Sequence, residues 1–228
     1  MTLWKQEPTV SIEAVLFDLD GTIADSAPDL GAALNFLLVE EGKAPLGLEH
    51  TRPHTSSGVR GMLGKGFDLR PGDADYAELA KRFLDHYDRL LCQHTTLFPG
   101  ILDLLDDLDE RGIRWGIVTN KTQRFTLPLI EGLGLRQRAA CIISGDSSPR
   151  AKPHPDPLLL ACVAAQVAPA HSIYVGDDLR DIMAGRSAGL GTVAAAYGYL
   201  GAGTPIEDWQ ADAVVTRPEQ IIGLLGRA

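Results

Sequence analysis

The chain has no long apolar run, no basic cluster and only three cysteines among its 228 residues. The longest apolar stretch, residues 158–165, is far short of the roughly 20 residues that cross a bilayer, so no membrane partner is expected. Cys92, Cys141 and Cys162 stand far apart and in no metal-binding spacing, which reads as isolated thiols in a reducing compartment. Lysines and arginines are scattered, and the formal charge of −9 works against nucleic acid or acidic membrane, whose phosphates demand concentrated positive charge. Residues 1–13 are mixed and charged, with no apolar segment before a cleavage site, so a cytoplasmic protein is expected.

What is present is a composition of 45% hydrophobic and 22% charged residues, in a chain long enough for one large domain or a core with a smaller insert. Apolar spacing predicts a first strand over residues 13–17. Helices follow: one from Pro28 carrying Leu30, Ala33, Leu34, Leu37 and Leu38 and stopping at Gly42, a short one over 59–65, and a longer one with Asp73 as N-cap and Tyr76, Leu79, Phe83, Tyr87 and Leu90 on one stripe. No strand is expected between about Ser26 and Thr96. Beyond Phe98-Pro99-Gly100, helices alternate with strands over 113–118, 141–144, 173–175, 192–196 and 213–215. That alternation predicts an α/β fold, a doubly wound parallel sheet with helices on both faces. The expected organisation is an α/β core from residues 1–25 and 97–228 with a small all-helical cap, residues 26–96, inserted after the first strand. The insertion point places the cap over the carboxyl ends of the strands, where such folds bind ligands. The glycine-rich stretch 198–205 reads as a connector.

The chemistry gathers at four strand ends. Asp18 and Asp20 follow the first strand two positions apart, a spacing that turns both carboxylates to one side in an extended chain. Like charges this close need a cation or a proton between them, and the pair fits a metal ion with one nucleophile and one general acid/base. Gly21 permits a sharp turn, and Thr22 offers a hydroxyl. At the second strand end, Thr119 either caps the next helix or donates to phosphoryl oxygens. Lys152, before Pro153-His154-Pro155, offers the ammonium that a site rich in negative charge needs, while His154 has no partners in sequence and reads as structural. Gly176-Asp177-Asp178-Leu179-Arg180-Asp181 places three acids within five residues at a helix start, more than capping requires. Asp177, nearest the strand, is the expected further metal ligand, with Asp178 and Asp181 supporting it by holding waters or Lys152. Cys92 and His94 have no orienting partner and read as packing and surface.

Taken in order, Asp18-Leu19-Asp20-Gly21-Thr22, Val118-Thr119-Asn120, Lys152-Pro153 and Gly176-Asp177-Asp178-Leu179-Arg180-Asp181 resemble the four motifs of the haloacid dehalogenase superfamily, over nearly the whole chain. The resemblance implies catalysis by Asp18, Asp20, Thr119 and Lys152, and a magnesium ion held by Asp18, Asp20 (through its backbone carbonyl) and Asp177. An acid at Asp20, which the family's dehalogenases lack, implies hydrolysis of a phosphate monoester through an aspartyl-phosphate. The chain looks most like the phosphoglycolate phosphatases, and Asp156-Pro157-Leu158 and Tyr197-Gly198-Tyr199 are also similar to enzymes acting on N-acetylmuramic acid 6-phosphate. A sugar phosphate mutase or a non-catalytic binding module would share the fold. The implied partner is a small phosphorylated metabolite, met by a monomer or homodimer. Thr119, Asn120, Lys152 and Arg60 are the expected substrate contacts. Arg52, His54, Ser56, Ser57, Arg60 and Lys65 are the polar residues available to the cap, and Arg60 with Lys65 could pair with a substrate carboxylate.

Overall fold

The structure is a computed structural model, and it describes residues 11–201 and 203–225; the N-terminal reading of residues 1–10 falls outside them. No helix among the described residues is long and apolar enough to cross a membrane. The first strand, β1 (Ala14–Phe17), has all four residues buried, as a strand covered on both faces requires. A short strand β2 (Ala24–Asp25) leads into four helices, α1 (Ala27–Glu40), α2 (Leu48–Thr51), α3 (Gly58–Phe67) and α4 (Tyr76–Leu90), with a 3₁₀ turn over Arg52–Ser57. The chain then returns through β3 (Thr96–Leu97), antiparallel to β2. From there helices and strands alternate: α5 (Ile101–Glu110), β4 (Arg114–Val118), α6 (Gln123–Gly132), β5 (Ile142–Ile143), α7 (Asp156–Ala165), β6 (Ser172–Gly176), α8 (Leu179–Ala188), β7 (Gly191–Ala195) and β8 (Ala213–Val215).

The expected α/β sheet is present. Six strands run in the order β5-β4-β1-β6-β7-β8, and every neighbouring pair is parallel. One face is covered by a cluster containing Phe17, Leu104, Leu108, Trp115, Ile130 and Val193, the other by Leu16, Val118, Leu158, Cys162, Tyr174 and Ala184. Central β1 sets the geometry of everything that follows. Phe17 lies opposite Ile117 on one side and Val175 on the other, so the residues after these three strands leave the sheet along a single edge.

The helices between β2 and β3 have their own apolar cluster, built from Leu30, Leu34, Leu37, Met62, Leu63, Phe83 and Tyr87. Phe125 of α6 joins that cluster from the sheet side. Buried Asp29 of α1 ties the insert's two ends together: its carboxylate accepts from the amides of His94 and Thr95 (2.9 and 3.0 Å) and from the Thr95 hydroxyl (2.6 Å).

Three local expectations are corrected. The α4 N-cap is Asp75; Asp73 lies two residues earlier, where its carboxylate accepts from the Arg70 amide at 2.7 Å. Thr96 is part of a strand, because the chain crosses back beside β2 there. The 198–205 stretch is more than a connector, since the amide of Tyr199 donates to Asp177 at 2.9 Å; Ala202 lies outside the described residues.

Candidate active site

Asp18 continues from β1 at the sheet edge and is 8% exposed. Its carboxylate meets the Lys152 ammonium at 2.8 Å, and the same ammonium lies 2.8 Å from Asp181, 3.0 Å from the Val118 carbonyl and 2.7 Å from the Tyr174 hydroxyl. Burial opposes charge on Lys152, but the carboxylates of Asp18 and Asp181 outweigh it and hold the ammonium above the ordinary lysine range. Lys152 is steered there by Asn120, whose side-chain amide donates to the Lys152 carbonyl and accepts from its backbone N–H, both at 3.0 Å. The Asn120 side chain is therefore spent on bracing the lysine, although the residue lines the cavity. The segment after Lys152 is a turn.

Asp20 faces a different cation. The chain turns over residues 19–23, yet both acids line the same cavity, as their spacing leads one to expect. Lys121 donates to both Asp20 carboxylate oxygens, at 2.9 and 3.1 Å, and the Ser26 hydroxyl donates to one of them. Burial opposes the Lys121 charge, and the Asp20 carboxylate more than offsets it, raising the ammonium above its usual range. Sequence reasoning missed Lys121. The available signal was its position directly after Thr119-Asn120, on the same sheet edge as Asp20.

Asp177 follows β6 and is fully buried. It accepts from the Thr22 hydroxyl (3.2 Å), the Ser56 hydroxyl (3.1 Å) and the Tyr199 amide (2.9 Å). Burial, then the charges of Asp18 and Asp181, push its carboxyl well above the usual range. A Cβ at Gly21 or at Gly198 would run into this carboxylate, so both positions must be glycine for the chain to close around it. Asp18, Asp177 and Asp181 each place a carboxylate oxygen within 4.8 Å of the others, a buried all-oxygen set of the kind that suits a hard divalent cation. Asp181 is already engaged by Lys152 and by the Asp178 amide (3.1 Å), whereas Asp178 caps α8 and chelates Arg180.

With the exception of Asp177, which is buried behind it, these groups open onto one cavity of about 330 Å³ between the sheet edge and the helical insert. Asp18, Asp20, Thr119, Lys121 and Lys152 line its floor. Leu30, Val59, Phe83, Leu84 and Phe125 form an apolar wall, with Ser56, Ser57, Arg60 and Arg180 as the polar rim. Thr119 does not cap α6, whose N-cap is Thr122; its hydroxyl accepts from the Lys121 amide at 3.1 Å in the turn before the helix, and the residue lines the cavity. The insert reaches the site through Ser56, whose carbonyl also accepts from Arg180 at 2.8 Å. Arg52 instead forms a bidentate pair with Asp25 at 2.9 Å. Neither Lys65 nor His54 lines this cavity: Lys65 is exposed, and His54 faces an outer groove with Arg70. His154 is exposed, Cys92 is half-buried, and the three thiols are unpaired.

The model of the haloacid dehalogenase-like hydrolases matches residues 15–195, which include the acids and lysines of the site but not Gly198 and Tyr199. The chain belongs to that family. It is 45% identical over 209 residues to a phosphoglycolate phosphatase of Xanthomonas campestris pv. campestris, a match covering 91% of this chain and 94% of that one. It is 40% identical over 210 residues to an N-acetylmuramic acid 6-phosphate phosphatase of Pseudomonas putida, covering 92% and 94% respectively. The crystal structure of a Haemophilus somnus protein, described as a predicted phosphoglycolate phosphatase, superimposes with a TM-score of 0.83 at 25% identity, over 96% of this chain and all of that one.

Proposed function

We propose that the protein is a magnesium-dependent phosphatase that hydrolyses a small phosphate monoester, of phosphoglycolate phosphatase type, with residues 26–96 acting as a cap over residues 1–25 and 97–228. The observation that carries this reading is the floor of the cavity. Two carboxylates leave one strand, each bonded to its own lysine, beside a third buried carboxylate whose proton affinity is raised.

The Asp18 carboxylate attacks phosphorus, and the bond from phosphorus to the ester oxygen breaks. Asp20 gives its proton to the departing alkoxide. The aspartyl-phosphate on Asp18 is then attacked by water, which loses its proton to Asp20, and the bond between Asp18 and phosphorus breaks to release phosphate. Lys152 and the Thr119 hydroxyl hold the phosphoryl oxygens, with Lys152 also preventing Asp18 and Asp181 from repelling each other. Asp18, Asp177 and the Asp20 backbone carbonyl would hold the magnesium ion, which when bound supplies positive charge against the phosphoryl group. Asp178 and Asp181 steady this arrangement through Arg180 and Lys152. The cap keeps bulk water away from the first step.

A second reading is favoured by the cavity wall. Five apolar side chains in about 330 Å³ leave room for a leaving group larger than glycolate, as in N-acetylmuramic acid 6-phosphate. Arg60 on the rim would meet the carboxylate that both esters carry. A screen of phosphorylated metabolites for phosphate release tests the reading. Release without any sugar bisphosphate is the expected result and excludes a mutase; no release from any ester in the presence of magnesium would leave a binding module.

A further inference from the structure

The general acid/base is joined to the cap by one side chain. Lys121 stands two residues beyond Thr119, with its side chain 9% exposed. One side of its ammonium holds both oxygens of Asp20. The other lies 4.8 Å from the centre of the Tyr87 ring, which belongs to α4 of the helical insert. Tyr87 is 1% exposed, and its hydroxyl has no hydrogen-bond partner among the described residues. Its seat is made by ring contacts, to Lys121 and to Phe125 of α6 at 5.3 Å, and both partners lie on the sheet side of the boundary. A lysine stem has four rotatable carbons and no intrinsic preference for this geometry. With Tyr87 withdrawn, the ammonium loses its outer contact and Asp20 loses a fixed partner.

We propose that Lys121 is a positioning residue, which holds the Asp20 carboxylate in place for the leaving-group oxygen while the Tyr87 ring of the cap is seated over it. The inference rests on the phosphatase reading above. Under it, the acid/base is fully assembled only when α4 is docked against α6, so proton transfer is timed to the closed cavity. Lys121 acts through Asp20 and by placement, so its loss should be felt in proportion to how much the leaving group needs a proton.

That proportion can be measured with phenyl phosphate and p-nitrophenyl phosphate, which share the aryl phosphate framework but differ in leaving-group basicity and carry no carboxylate for a lysine to bind. The quantity to compare is kcat/KM, because hydrolysis of the aspartyl-phosphate follows the first irreversible step and does not enter it. Lys121→Met is expected to lose roughly tenfold more activity on phenyl phosphate than on p-nitrophenyl phosphate, a part of the roughly 10²- to 10⁴-fold that a positioned acid contributes. Lys121→Arg should recover most of that difference. Tyr87→Leu, which leaves Lys121 in place, should show a selective loss of the same sign but smaller, and it tests the idea independently if the methionine variant does not fold. Equal losses on both esters, in either variant, would overturn the assignment. If the wild-type enzyme released phosphate from neither ester, the phosphatase reading itself would fall; wild-type turnover with parallel losses removes the role of Lys121 alone.

Discussion

Asp18 and Asp20 are two residues apart, yet one contacts Lys152 at 2.8 Å and the other Lys121 at 2.9 Å, so the repulsion expected between them is answered separately at each group. This separation supports a division of labour that mutation can expose. Asp20→Asn should lower turnover by roughly 10²- to 10⁴-fold, the usual range for a positioned acid/base, with little change in the magnesium concentration needed. Asp177→Ala should instead raise that concentration strongly, since it removes a carboxylate from the buried oxygen set. Titrations of activity against magnesium that came out alike for the two variants would show the roles to be wrongly divided. Tyr87 supplies a stability counterpart. Burial pushes its hydroxyl up to about 12 against the opposing pull of the nearby Lys121 ammonium, and it has no partner at hydrogen-bond geometry among the described residues. Removing an unpartnered buried hydroxyl removes a desolvation penalty, so Tyr87→Phe should melt at the same temperature or slightly higher.

At the scale of elements, the long periodic segments were legible because burial writes itself into spacing. The stripe Tyr76, Leu79, Phe83, Tyr87 became α4, and the run before Asp18 became the central strand. Short elements held by contacts distant in sequence were not legible: β2 and β3 are two residues each and exist because the insert's ends meet. For the same reason the site was read as acids along one edge, while the lysine on Asp20 and the insert's Ser56 on Asp177 required the fold to bring them there. Asp29 was overlooked because a carboxylate in the first turn of a helix is ordinary. Its buried oxygens in fact satisfy three donors from the returning chain. Asp29→Ala leaves those donors unpaired and should cost roughly 2–4 kcal/mol, measurable by chemical denaturation. A loss below about 0.5 kcal/mol, the scale of ordinary surface changes, would mean that water replaces the carboxylate freely.

For the molecule as a whole, the catalytic carboxylates are a stability liability when no cation is bound. Burial raises Asp177 well above the usual range and raises Asp181 to about 7. A raised acid binds its proton more tightly folded than unfolded, so its contribution to stability declines as pH climbs from the ordinary carboxylate range near 4 toward about 7. A divalent cation takes the place of those protons and stabilises the folded state by mass action. The increase in Tm on adding magnesium to chelator-treated protein should therefore be larger at pH 7.5 than at pH 5. An increase independent of pH would detach metal binding from these buried acids. Asp178 works in the opposite sense: despite its burial, Arg180 holds its carboxyl below the usual range, and the stability it lends is lost only as the solution becomes strongly acidic.

The central claim is that Asp18 carries the phosphoryl group. Rapid acid quench of the enzyme during turnover, followed by mass spectrometry of the peptide that contains Asp18, tests it most directly. The account predicts a phosphoryl adduct on Asp18 that disappears when substrate is exhausted, and neither adduct nor turnover in a folded Asp18→Asn variant. Sustained phosphate release by that variant, within tenfold of the wild-type rate, would contradict it.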